Sequence, residues 1–71
     1  MSDQTATYAI TEIVGTSPEG VTEAIQNGVS VASTTLRNLD WFEVVSVRGT
    51  LDGSGVGVYQ VTMKIGFRYE S

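Results

Sequence analysis

Hydrophobic and polar positions alternate most cleanly near the C-terminal end. From Val56 to Tyr69 the odd positions Tyr59, Val61, Met63, Ile65, Phe67 and Tyr69 are apolar or aromatic. The even positions Gln60, Thr62, Lys64, Arg68 and Glu70 are polar. Side chains alternate across a strand, so this period of two predicts a long strand with an inward odd face and a polar even face. Tyr8–Val14, YAITEIV, is rich in β-branched residues, stops at Gly15 and predicts a first strand. The period then changes. Val21, Ala24, Ile25, Gly28, Ala32, Leu36 and Leu39 recur in steps of three and four, the stripe of an amphipathic helix. Ser17 suits its N-cap, Pro18 its first position and Glu19 its dipole. A helix over residues 18–38 would span about 30 Å. Gly28 on its inner stripe costs about 1 kcal/mol of helix propensity but permits a close approach to a sheet.

The segment Phe42–Leu51 predicts a second strand, and Asp52-Gly53-Ser54-Gly55 the turn that joins it to the third. The second strand is untidy. Phe42 and Val44 share one face by alternation, while Val45, Val47 and Leu51 share the other. Either a bulge shifts the register or both faces are buried. Its start overlaps Leu39-Asp40-Trp41-Phe42-Glu43-Val44, with the sole tryptophan of the chain. In an extended backbone Trp41 and Phe42 point to opposite faces, so one core cannot hold both rings. The elements predict an α+β fold in β-α-β-β order, a three-stranded antiparallel sheet wrapped around one helix. Residues 1–6 are polar and expected to form a flexible tail, and residues 7–71 a single domain.

Composition changes this picture in one respect. A chain of 71 residues buries only about 60% of the surface its unfolded state exposes, and such domains lean on disulfides, metals or partner subunits. There is no Cys and no His, so disulfides, thiolate zinc sites, cysteine nucleophiles and imidazole bases are excluded. Oligomerisation is the support that remains. The net charge of −4, with Arg37, Arg48, Lys64 and Arg68 as the only basic residues, speaks against nucleic-acid binding. No apolar run is long enough to cross a bilayer. The first residues show no secretory signal, so the expected location is the cytoplasm.

Three features have candidate chemistry, each with a structural alternative. Trp41 is either a core or interface residue or a stacking surface for a flat ligand. Gln60 offers an acceptor and two donors that suit the edge of a ring alternating donors and acceptors, such as a flavin pyrimidine, or it is a solvated strand residue. Arg48, Lys64 and Arg68 are phosphate ligands or intersubunit ion-pair partners of Glu12, Glu43 and Glu70. The run Gly53-Ser54-Gly55-Val56-Gly57 joins two strands and opens no helix, so it is no dinucleotide loop.

Taken in order, Val14-Gly15-Thr16-Ser17-Pro18-Glu19-Gly20, Leu39-Asp40-Trp41-Phe42-Glu43-Val44, Arg48-Gly49, Tyr59-Gln60-Val61 and Gly66-Phe67-Arg68 resemble the dodecin family over nearly the whole chain. The resemblance implies a hollow homododecamer that binds flavins in pairs, in pockets between subunits. It implies that Trp41 stacks on the flavin and that Gln60 hydrogen-bonds its ring. Members of the family take riboflavin, lumichrome or FMN, and some also hold coenzyme A. Arginines at the Arg48 and Arg68 positions go with FMN, and Lys64 is a further candidate for its phosphate. Phe42 is then expected to face the subunit's own core and Trp41 the assembly. The implied function is flavin storage or sequestration, with photochemistry quenched by Trp41, and no enzymatic activity. The alternatives are a small flavin-dependent oxidoreductase, or a structural or coenzyme A-binding assembly. No metal ligands are assigned.

Overall fold

The computed structural model describes residues 5–69. Residues 1–4 of the expected tail, and residues 70 and 71 of the expected domain, lie outside the described residues. The elements are β1 (Tyr8–Ser17), α1 (Val21–Ala32), β2 (Leu39–Leu51) and β3 (Val56–Arg68). They form a three-stranded antiparallel sheet in the order β1-β3-β2, with α1 packed over β1 and β3. The predicted β-α-β-β order and sheet are therefore present. Among the described residues no helix is long and apolar enough to cross a membrane.

Several boundaries differ from the expectation. The helix covers 21–32, not 18–38. At its start β1 runs on through Ser17, whose hydroxyl accepts the Glu19 N–H at 3.0 Å and turns the chain. Ser17 is thus a strand-end residue, and extended Gly20 takes the N-cap position with no side-chain cap bond. At its end the hydroxyls of Ser33 and Thr34 donate to the carbonyls of Ser30 and Val31, each at 2.7 Å. Such local bonds satisfy the last carbonyls and favour stopping the helix. Asn38, at φ 61°, then reverses the chain into β2. Leu36 and Leu39 continue the periodicity in sequence but lie outside the helix.

Gly28 has the role expected of it. A Cβ there would come within 2.7 Å of Met63 Cε and 3.1 Å of Gly15 Cα, and a Cβ on Gly15 would fall on the Ala24 carbonyl oxygen. Helix and sheet cross at this Gly15–Gly28 contact. Around it lies the small core of Ala24, Ala32, Val61, Met63 and Ile65.

The register of β2 resolves the two readings of its pattern. Register shifts fall between Leu39 and Trp41, Val44 and Ser46, and Gly49 and Leu51. The shift past Val45 brings Val47 to the same side as Phe42 and Val44, opposite Val61, Ile65 and Met63. Directly opposed residues share a face, so these three lie on the helix side. The helix does not cover them. Phe42 is 49% exposed and Val47 50%. Phe42 therefore points as expected but is not buried in its own subunit, because α1 sits over the other two strands.

Candidate functional site

The sheet face away from the helix collects the chemistry-bearing residues. Each row across it is set by the register around β3. Gln60 lies between Thr16 and Arg48, and Thr62 between Val14 and Ser46. Lys64 lies between Glu12 and Glu43, and Gly66 between Ile10 and Trp41. Arg68 stands opposite Tyr8. The five candidates Trp41, Arg48, Gln60, Lys64 and Arg68 thus belong to one face. Without the shift past Val45, Arg48 would sit on the other side, since strand sides alternate.

Trp41 is held from below. A Cβ on Gly66 would fall among the indole atoms Cε2, Cζ2 and Cδ2, so the ring rests directly on the glycine. Gly66 is buried by it, while 40% of the Trp41 surface stays open. A large aromatic surface fixed against backbone and open to solvent can stack on a planar ligand at little cost in side-chain entropy.

The face is long enough to divide into two groups. Gln60 and Gly66 lie six positions apart on β3, roughly 20 Å along the strand. Gln60, half-buried, and Arg48 form one group. Trp41 forms the other, with Lys64 and Arg68 each two residues from Gly66. The chain brings Gln60 to Arg48 but does not bring Trp41 to Gln60. Of the expected ion-pair acids, Glu12 and Glu43 both flank Lys64, and Glu70 lies outside the described residues. Among the described residues no group of three acidic side chains could hold a metal ion.

The dodecin family profile matches residues 7–70. A dodecin of Thermus thermophilus is 52% identical over 63 residues, which are 89% of this chain and 91% of that one. This chain belongs to the dodecin family. The solved structure of the dodecin from Streptomyces davaonensis superposes with a TM-score of 0.91 at 60% identity, over 94% of this chain and 98% of that one. Three solved variants of the Thermus dodecin are 48% identical and cover 93% of this chain and 97–98% of theirs, with TM-scores of 0.89–0.90. One replaces a tryptophan by phenylalanine, and two replace an arginine by alanine. Those three positions have the same separations along that chain as Trp41, Arg48 and Arg68 have here.

Two features of the site were not singled out from sequence for their role. In the sequence Gly66 is only a glycine inside a strand, and the indole above it gives its reason. Arg37 has no motif role in the sequence, yet it lines a cleft with Arg68. Its position four residues before Trp41 was the one available signal.

Proposed function

We infer that the chain is a flavin-binding storage or sequestration protein of the cytoplasm, with FMN the favoured ligand, and not an enzyme. It works as a hollow homododecamer. The observation that carries this reading is the Trp41 indole, seated on Gly66 with its remaining surface open, in a chain of the dodecin family. Trp41 stacks on the isoalloxazine ring, and Gln60 binds the polar edge of a ring with its amide. Arg48, Arg68 and Lys64 supply cations for the phosphate. Trp41 is readily oxidised and quenches a stacked excited flavin by donating an electron.

The spacing of the two groups supports a site shared between subunits. An isoalloxazine ring is far shorter than the roughly 20 Å between Trp41 and Gln60, so one chain cannot apply both to one ring. A flavin on Trp41 of one subunit meets Gln60 and Arg48 of another. A second reading, a structural or coenzyme A-binding assembly, draws on the uncovered apolar side chains of β2.

Fluorescence titration of flavin-free protein with FMN, riboflavin and lumichrome tests the first reading. Quenching that saturates near one flavin per subunit is expected, and Trp41→Ala should abolish it with the assembly intact. An unchanged flavin fluorescence with an intact assembly rejects it. Collapse of the assembly on Trp41→Ala favours the structural reading.

A further inference from the structure

Arg37 is not needed by the site just described, yet the fold places it beside that site. A cleft of about 270 Å³ opens at the end of the sheet where Trp41 lies. Leu36, Arg37, Asn38, Phe67, Arg68 and Tyr69 line it. Two of the four basic residues of a chain with net charge −4 thus meet in one small space. Among the described residues no carboxylate lines it.

The pairing is built into the backbone. The Arg68 N–H donates to the Asn38 carbonyl at 3.0 Å, and the Tyr69 N–H to the Thr7 carbonyl at 2.8 Å. The residue after Arg37 is therefore bonded to Arg68 itself. Asn38 at φ 61° makes the turn that sets Arg37 there. Both arginines are engaged within the chain, so an incoming anion would join or displace those contacts.

Arg68 brings one wall of the cleft to the sheet face that carries Trp41. Gly66, under the indole, precedes Arg68 by two residues, or about 7 Å of strand. That separation suits the five-carbon ribityl chain between a flavin ring and its phosphate. The Arg48 group lies at the far end of the face.

We propose that Arg37 and Arg68 form the subsite for the phosphate monoester of a flavin nucleotide stacked on Trp41 of the same chain, and that Arg37 decides the preference for FMN over riboflavin. The proposal rests on the flavin-binding reading above. A guanidinium offers a two-pronged match to phosphate, and charged hydrogen bonds of this kind are individually strong.

The test compares FMN and riboflavin titrations of Arg37→Ala and Arg37→Gln with those of the unaltered protein, each checked for assembly by sedimentation. FMN affinity should fall about tenfold or more, the scale of one charge-assisted contact, while riboflavin affinity stays within about twofold. Inorganic phosphate should compete with FMN and not with riboflavin on the unaltered protein. FMN affinity unchanged in both variants overturns the proposal. So does an equal loss of both ligands by an intact assembly, which would make Arg37 structural. Failure of both variants to assemble overturns it as well if phosphate leaves FMN binding unaffected. If riboflavin and FMN both fail to quench with the unaltered protein, the flavin-binding reading itself falls, which is a different result.

Discussion

At the scale of the residue, Trp41 and Gly66 behave as one unit. The indole occupies the volume that any side chain at residue 66 would need. Gly66→Ala should lift the ring from the sheet at a cost of about 1–3 kcal/mol, the range for an overpacked contact. A red shift of the Trp41 emission and weaker FMN quenching are the expected readouts. An unaltered emission spectrum would mean that the ring is not seated there. From sequence, Trp41 stood out by its rarity and by alternation with Phe42. Gly66 did not, because a glycine inside a strand shows its purpose only once the residue opposite is known. That pairing depends on the register shift next to Asp40, which no local pattern encodes.

At the scale of the element, the helix and the hairpin show where local patterns can be read and where they stop. The apolar stripe found the helix, and Gly28 its contact with the sheet. Its end is not legible in the spacing, because Leu36 and Leu39 keep the period after the chain has left the helix at Ser33 and Thr34. The two contact glycines should differ. Gly15→Ala pushes a Cβ into the Ala24 backbone carbonyl, which cannot yield, whereas Gly28→Ala meets chiefly the flexible end of Met63. Gly15→Ala should cost about 3 kcal/mol or more and Gly28→Ala markedly less, measured by denaturant midpoint. The hairpin tip carries a pH prediction. The Asp52 carboxylate accepts the Ser54 N–H at 3.0 Å and the Ser54 hydroxyl at 3.1 Å. The backbone bond first, then the hydroxyl, lowers its pKa below the ordinary 3.8. The folded value is depressed, so its contribution is present above the unfolded pKa and is lost as pH falls through the folded one. The Ser54 amide shift should follow this titration below about pH 4, and Asp52→Asn should remove the dependence.

At the scale of the whole molecule, the single chain has the surface and shape of a fragment. Its accessible surface is 4918 Å², against roughly 4,300 Å² for a compact monomer of this mass. Its radius of gyration is 14.6 Å, against about 11 Å for a compact chain of this length. Part of the open apolar surface lies on β2. β2 is an edge strand, beyond the cover of α1, with Phe42, Val44 and Val47 turned to the helix side and about half exposed. The lack of Cys and His had already pointed to partner subunits, but not to which surface they would cover. A monomer would leave this strip wet, whereas the proposed shell buries it. Val44→Glu puts a charge into the strip opposite Met63 without touching the face that carries Trp41, Gln60 and Arg48. An unpaired charge resists burial by several kcal/mol, so sedimentation should show species smaller than the twelve-chain particle. Since Trp41 and Gln60 of one chain cannot serve one flavin, flavin quenching should be lost in step with the particle. Full quenching by a monomeric Val44→Glu chain would show that a single subunit holds a complete site.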